Sequence, residues 1–266
     1  MKKLNFCIKG SKKTGQQFID ETISMAAQVS SIEINCNYPQ SDDFDMELNF
    51  LKKAKKKFNL SYVIHAPYLN SSLGDFNQEL RDDAIAEIFR SIDRAVFLGS
   101  NMVTIHPPFD PYGIYFREKE DIELDTYKQI ATYAAARNIR IGLENEAQTC
   151  FFFPDRACKF ELIKKVVETV NMKNFGYTLD LGHGNITGID IEHSIREASS
   201  KLFHIHAHDN FGEKEDLHLA PGDGNIHWNN VLMTLNATGY DQLFEIETSL
   251  ENFIKGRAYI SKVSKK

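Results

Sequence analysis

The chain has 266 residues, of which 42% are hydrophobic and 26% charged, so it is an ordinary globular protein with one large domain or two small ones. A formal charge of −6 excludes a protein that is basic over its whole surface, and any nucleic-acid contact would therefore need a local basic groove. The four cysteines show no CxxC or zinc-ribbon spacing and no apolar run suits a signal peptide or a membrane span, so we expect a cytoplasmic protein without disulfides.

Short strand-like runs alternate with helix-like stretches along the whole chain, and no linker or shift in composition marks a domain boundary. In chain order, the predicted strands are LNFCIK, SIEINC, SYVIHAP, NMVTIHP, RIGLENE, FGYTLDLGH, LFHIHAH and DQLFEIE. Apolar residues at helical spacing follow each strand, over residues 15–30, 43–59, 78–99, 121–138, 158–170, 190–200, 228–239 and from about 249. Eight strand–helix pairs in about 250 residues predict an α/β fold, a closed TIM (β/α)8 barrel in one domain over residues 1–266, with a doubly wound open sheet as the alternative.

The seventh predicted strand alternates apolar residues with histidines, which is the period of a strand with two different faces. Phe203, Ile205 and Ala207 occupy one face, and the other carries His204, His206 and His208. Three imidazoles on one buried face would leave ring nitrogens unpaired unless water, a carboxylate or a metal ion satisfied them. The loop that follows adds Asp216, His218 and a PGDG turn. Any one of these histidines alone could be a satisfied core residue, but the cluster as a whole favours a divalent metal site.

The other predicted strands also end in side chains that can bind metal. Chemistry in a TIM barrel lies at the C-terminal ends of the strands. From the third strand to the eighth, these ends carry His65, His106, Glu144, Asp180 followed by His183, then His206 and Glu247. Apolar neighbours of the opposite parity are expected to face the helices. A structural ion-pair network would require cations, and the strand ends offer hardly any Lys or Arg. The pattern therefore predicts that the polar side chains meet at the barrel mouth.

The residue types also limit the choice of metal. Imidazole and carboxylate without thiolate suit zinc, manganese, iron or cobalt better than the all-oxygen sites of magnesium or calcium, and we expect Zn²⁺ or Mn²⁺. Nine candidate ligands exceed what one ion uses, so either up to three ions share carboxylates or some histidines bind substrate. We expect His204 to support or pack against the site, His208 to orient a ligand or substrate, and Tyr68 with Leu69 to form either an exposed wedge or a packed loop.

From about His65 to Glu247 the sequence resembles the xylose isomerase-like TIM barrel superfamily, which contains sugar phosphate isomerases and epimerases and the endonuclease IV type of abasic-site nuclease (AP endonuclease family 2). In the endonuclease IV pattern nine residues hold three zinc ions, and each has a match here. The matches are His65 in IHAPYL, His106 in TIHP, Glu144 in LENE, Asp180 and His183 in LDLGH, His206 in IHAHD, Asp216 and His218 in DLH, and Glu247 in EIET. The resemblance implies a metal-dependent enzyme.

The sequence departs from endonuclease IV around these ligands. It reads LDLGH where those nucleases usually read IDTCH, and HAHDNF where they read HLNDSK or HLNDAK. The resemblance therefore implies first an isomerase or epimerase of a sugar or sugar phosphate. In that reaction one ion is held by Glu144, Asp180, His206 and Glu247, and the catalytic residues Glu144 and Glu247 remove and return a carbon-bound proton.

Two other functions follow from the same residues. In a phosphodiesterase that cleaves DNA at abasic sites, all nine residues would hold two or three zinc ions, and Tyr68 with Leu69 would wedge into the duplex. A metal-binding or sugar-binding protein that has lost catalysis is the third hypothesis. The complete ligand set argues against it, since a degenerate relative would be expected to have lost some of these side chains.

Overall fold

Eight parallel strands form a closed barrel in a computed structural model that describes residues 4–36, 44–68, 72–108, 117–147, 155–213 and 215–265. The strands are β1 Asn5–Lys9, β2 Ser31–Asn35, β3 Ser61–His65, β4 Met102–Ile105, β5 Arg140–Glu144, β6 Phe175–Asp180, β7 Leu202–Ala207 and β8 Leu243–Ile246. They pair in sequence order, and β8 closes on β1 with Phe244 opposite Phe6. The predicted TIM barrel is confirmed, and the open sheet is excluded.

Helices follow the strands and cover the outside of the barrel. They are α1 Gly15–Ala26, α2 Phe44–Phe58, α3 Gln78–Leu98, α4 Arg117–Ala135, α5 Asp155–Cys158, α6 Phe160–Val170, α7 Leu181–Thr187, α8 Ile191–Ala198, α9 Trp228–Ala237 and α10 Leu250–Val263. Helix α7 was not expected, because LGHGNIT reads as the end of a strand and a loop. It begins directly after β6 because the Asp180 side chain caps it, accepting the backbone N–H of His183 at 2.7 Å.

The main hydrophobic core lies between the sheet and the helices. Outward-facing strand residues such as Ile105, Ile141 and Phe244 are completely buried there. Side chains of the opposite parity point to the barrel axis and are largely polar, with Thr104 Oγ1 3.0 Å from Thr178 Oγ1. The upper part of the barrel interior is thus a packed layer of polar groups, which continues upward into the mouth.

Phe203 is an exception to the predicted alternation of β7. It packs with Val63 and Met102 in a small cluster apart from the main core, rather than with Ile205 on the helix side. The pairing of β6 with β7 passes from Tyr177 opposite Leu202 to Thr178 opposite His204, so Phe203 is the extra residue of a bulge. The alternation therefore holds only from His204 onward.

Two further features concern membrane spans and cysteines. No helix in the ranges given above is long and apolar enough to cross a membrane. Cys7, Cys36 and Cys158 carry free thiols, and Cys150 lies outside the described residues.

Candidate functional site

Four side chains from the ends of β5 to β8 converge at the mouth of the barrel. We name them the strand group: Glu144, Asp180, His206 and Glu247. The Nδ1 atom of His206 lies 2.9 Å from Glu144 Oε1, 3.2 Å from Glu247 Oε2 and 3.9 Å from Asp180 Oδ2. One ligand atom from each residue lies within 4.8 Å of all the others, and the four residues are between 0% and 7% exposed. Residues up to 103 positions apart are thus brought to one centre (247 − 144).

The hydrogen bonding of the Asp180 carboxylate shows whether this centre is suited to a cation. Its Oδ1 atom accepts the His183 N–H, but Oδ2 is buried and accepts no hydrogen bond from any residue in the described ranges. Leaving such an oxygen without a partner costs about 1–3 kcal/mol, more for a charged group. Two ligands that each lie about 2.1 Å from one ion are about 3 to 3.5 Å apart. The spacings around His206 Nδ1 are close to that, so these donors fit a divalent ion.

On the side away from His206, Glu144 faces the imidazoles of His65 and His106. Its Oε2 atom lies 3.3 Å from His65 Nε2 and 3.0 Å from His106 Nε2, whereas Oε1 is turned toward His206. The two Nε2 atoms are 3.1 Å apart. The Glu144 carboxylate therefore turns one oxygen toward His206 and the other toward His65 and His106. A carboxylate that bridges two metal ions has the same arrangement.

His106 is held from two sides. The Tyr68 ring stacks on it, with the ring centroids 4.7 Å apart and the planes 16° from parallel, and Glu146 pairs with Nδ1. Burial lowers the pKa of His106, but the attraction of Glu146 and Glu144 outweighs this effect and raises the pKa to about 10. Glu146 was not among the predicted residues, although it shares the parity of Glu144 in LENE. Leu69 lies outside the described residues.

The remaining candidates form a second group beside Asp180. We name them the loop group: His183, His208, Asp216 and His218. Asp216 joins them, because its Oδ2 lies 2.9 Å from His218 Nε2 and 3.5 Å from His183 Nε2, and its Oδ1 lies 3.5 Å from His208 Nε2. The His208 ring is completely buried and stacks on that of His218, with centroids 4.1 Å apart. Neither nitrogen of His208 makes a hydrogen bond within the described part of the chain.

Two neighbouring residues fix the loop group. A Cβ atom at Gly182 would lie 2.0 Å from His208 Cε1, so the glycine of LDLGH leaves room for this ring. Asp209 holds the loop that carries Asp216 and His218. Its Oδ2 accepts hydrogen bonds from Trp228 Nε1 at 2.7 Å and from the backbone N–H of Gly222 at 2.8 Å. The sequence marks Asp209 only as one more acid in the cluster, since its partners follow later in the chain.

Lys9 is a residue of the barrel mouth that was not expected from the sequence. It ends β1 and pairs with Glu247, so the mouth does contain a strand-end cation. Burial lowers the pKa of Lys9, but the attraction of Glu247 outweighs it and holds the pKa above its ordinary value. Its position at the end of LNFCIK was the available signal.

Glu33 and Glu245 were not expected either. They lie inside the barrel below the mouth, 1% and 0% exposed, together with His204. The sequence carried a signal for both, because each is a single acid between apolar residues in a strand, in SIEIN and LFEIE.

Two carboxylates of the strand group, those of Glu144 and Glu247, have lowered pKa values. Burial favours the neutral form of Glu247, but Lys9, His218 and His206 outweigh it and hold its pKa well below the ordinary value. His206 and His106 do the same for the pKa of Glu144. Both carboxylates are therefore ionised at neutral pH, and either can act as a ligand or as a base.

Comparison with known proteins agrees with this architecture. The sequence model of the xylose isomerase-like TIM barrel family matches residues 26–263. The chain is 31% identical over 204 residues to the uncharacterized protein MJ1311 of Methanocaldococcus jannaschii, which covers 75% of this chain and 68% of MJ1311.

Two solved structures share the fold. A D-tagatose 3-epimerase-like protein has a TM-score of 0.85 at 24% identity, with 98% of this chain and 97% of that chain covered. An L-ribulose 3-epimerase has a TM-score of 0.83 at 18% identity, with coverage of 99% and 95%. The chain belongs to the xylose isomerase-like TIM barrel family.

Proposed function

We propose that this protein is a divalent-metal-dependent epimerase or isomerase of a small sugar or sugar phosphate. The observation that carries the proposal is the geometry of the strand group. Two ionised carboxylates, those of Glu144 and Glu247, lie within 3.2 Å of His206 Nδ1, and the nearby Oδ2 atom of Asp180 accepts no hydrogen bond from the described residues. The fold shared with the D-tagatose 3-epimerase-like protein and the L-ribulose 3-epimerase supports the substrate class. We expect Zn²⁺ or Mn²⁺, since these ions accept mixed nitrogen and oxygen ligands.

Glu144, Asp180, His206 and Glu247 would hold the ion. When bound, such an ion polarises the carbonyl of an open-chain ketose and makes the adjacent C–H bond more acidic. Glu144 and Glu247 then exchange the carbon-bound proton, one removing it from one face of the substrate and the other returning it on the opposite face. Lys9 stabilises the ionised form of Glu247, and His106 does so for Glu144.

His208 and Tyr68 are the proposed substrate-binding residues. His208 Nε2 lies 3.2 Å from Asp180 Oδ1, whereas Nδ1 has no hydrogen-bond partner among the described residues, so Nδ1 is the nitrogen suited to a hydrogen bond with a sugar hydroxyl. Tyr68 is 36% exposed beside His106 and can cover an apolar face of the sugar.

Proton exchange with solvent tests this function directly. The protein loaded with Mn²⁺ or Zn²⁺ is incubated in D₂O with D-tagatose, L-ribulose and their phosphate esters, and the products are followed by NMR. We expect deuterium at the epimerised carbon, with about one ion per chain sufficient for turnover. The exposed Glu251→Gln variant should behave like wild type. Epimerisation that proceeds at the full rate after the metal has been stripped would contradict the proposal.

A second candidate function is phosphodiester hydrolysis at abasic sites in DNA. The shared position of Glu144 between His206 and the pair His65 and His106 favours it, as does the loop group, because together they offer ligands for further ions. The net charge of −6 and the HAHDNF sequence place it second. The measurement is nicking of a duplex with one abasic site. Metal-dependent cleavage with two or three ions per chain would reverse the order of the two proposals.

A further inference from the structure

The two ring nitrogens of His206 face opposite directions. Nδ1 points to the mouth and to the carboxylates of the strand group. Nε2 points into the barrel, where it lies 3.2 Å from Glu33 Oε2 and 3.9 Å from Glu245 Oε2. A ring that donates Nε2–H to Glu33 therefore presents Nδ1 to the mouth.

Glu33 is enclosed by partners that fix its carboxylate. It comes from β2, it is 1% exposed, and its Oε2 atom also lies 3.5 Å from His204 Nε2. His204 is itself fixed, because Nδ1 lies 3.2 Å from the Leu243 carbonyl and Nε2 lies 3.2 Å from Glu245 Oε2. Glu245 thus contacts His204 at hydrogen-bond distance, whereas Glu33 contacts His206 at that distance.

The same residues could in principle hold an ion of their own. Glu33, His204, His206 and Glu245 each offer a ligand atom within 4.8 Å of the others. All four are 0% or 1% exposed, and His206 is shared with the strand group. If Nδ1 of a neutral His206 is the free nitrogen that faces the strand group, Nε2 carries the proton and donates it to Glu33, so Nε2 has no lone pair for an ion in the interior.

We propose that Glu33 is a positioning residue for His206, an inference that rests on the proposed metal centre. Glu33 accepts the Nε2–H, keeps the proton on that nitrogen, and aims the free Nδ1 at the centre formed with Glu144, Asp180 and Glu247. Histidines that bind metals commonly donate their other N–H to a carboxylate, which fixes the ring and makes the ligating nitrogen more basic. Glu245 supports His204 and has no direct role in aiming His206.

The chain offers a matched pair of variants for the test. Glu33→Gln and Glu245→Gln each replace one fully buried carboxylate of the interior by a side chain of the same shape. Calorimetry measures the binding of Zn²⁺ and Mn²⁺ to each metal-free protein. We expect Glu33→Gln to weaken the binding by about 10- to 100-fold, and Glu245→Gln to leave it within a factor of about three of wild type, because Glu245 lies farther from His206.

A charge-conserving variant separates position from charge. Glu33→Asp keeps the negative charge inside the barrel but withdraws it by one methylene, so it cannot reach Nε2. We expect metal binding at least about fivefold weaker, while thermal unfolding of the metal-free protein stays close to that of Glu245→Gln. Nitrogen NMR of the histidine-labelled protein at one equivalent of zinc should show His206 with its proton on Nε2 and its Nδ1 bound to the ion in wild type, and only partial occupancy of Nδ1 by the ion in Glu33→Gln.

The outcomes distinguish failure of this inference from failure of the proposed function. Wild-type affinity in both Glu33 variants would overturn the positioning role, and so would an equal loss in Glu33→Gln and Glu245→Gln. One ion fewer per chain at unchanged affinity would assign the interior residues to an ion site and overturn it as well. If wild type binds neither Zn²⁺ nor Mn²⁺, the proposed metal centre itself fails, and the role of Glu33 fails with it.

Discussion

The strand group and the loop group use the same types of side chain, but they are constructed differently. Strand-group residues stand at the ends of hydrogen-bonded strands, and their side chains are at most 9% exposed. In the loop group the side chains of Asp216 and His218 are 27% and 30% exposed, and His218 has a φ of +44°, which is uncommon for a residue other than glycine. The barrel register fixes the first group, whereas half of the second, Asp216 and His218, depends on the contacts of one loop.

This difference separates the residues that the barrel fixes from those that depend on a loop. A centre built on strand ends is as rigid as the sheet, so it suits the step that requires accurate geometry. A group carried by a loop can change its ligands and its exposure without disturbing the barrel. We therefore assign the proton transfer to the strand group, and we assign substrate selection, or the binding of extra ions, to the loop group.

The largest expected effect comes from removing one carboxylate from each group. Glu247→Gln should lower kcat by about 10²- to 10⁴-fold, because it removes a proposed base and ligand. Asp216→Asn should lower kcat by less than about tenfold if the loop group only binds substrate. Steady-state kinetics of epimerisation measures both, and circular dichroism checks the fold. Comparable losses in the two variants would mean that the groups act as one site.

Removal of the metal should show which of the two groups holds the ion more tightly. An ion present at 100 times its Kd stabilises the folded state by about 2.7 kcal/mol, which corresponds to roughly 5 to 10 °C in Tm for a chain of this size. Differential scanning calorimetry with and without a chelator measures the shift. Asp180→Asn should abolish it, and His218→Ala should leave most of it. A shift that depends only on His218 would locate the tighter site in the loop group.

A smaller effect is expected from loosening the loop alone. Asp209→Asn replaces one carboxylate oxygen by an NH₂ group and keeps the other oxygen as an acceptor. The lost oxygen would be the one that accepts hydrogen bonds from Trp228 and Gly222. We therefore expect the free energy of unfolding to fall by about 2 kcal/mol. Hydrogen exchange should become faster in residues 210–227, and affinity for the first metal ion should be unchanged. The control is Asp223→Asn, since Asp223 pairs with the exposed Lys255. A weaker first ion in Asp209→Asn would show that the strand group also depends on the loop.

The last comparison concerns the dependence of stability on pH. The pKa of His106 is raised to about 10 in the folded protein, from about 6.5 when unfolded. The stabilising contribution of His106 to the free energy of unfolding is therefore complete below about pH 6.5, and it declines as the pH rises toward 10. Metal affinity should change in the opposite direction, because the imidazole protons have to leave before an ion can bind. Urea unfolding of the metal-free protein measures the first trend, and His106→Asn should flatten it. The Asp216 carboxylate, whose pKa is held below its ordinary value, stays ionised across this range.

Much of the site was predictable because its signals are local in the sequence. Glu144 and Glu247 end strands whose apolar neighbours alternate with them, and the barrel rule then places both at the mouth. Lys9, Glu33 and Glu245 also belong to strands, but a single charged residue within a short strand does not reveal whether it faces the axis. The bulge at Phe203 was not predictable, because it depends on how β7 pairs with β6.

The sequence by itself determined the eight strand–helix units and the acids and imidazoles at six consecutive strand ends. Periodicity and strand-end position are properties of a few neighbouring residues, so a linear reading contains them. Only the tertiary structure decided which ring nitrogen faces which carboxylate, and hence how the candidates divide into groups. His206 and Glu33 are 173 residues apart, and they meet because closure of the barrel brings β2 and β7 around one axis. Contacts at that separation are set by barrel closure and strand register, which no short stretch of the chain encodes.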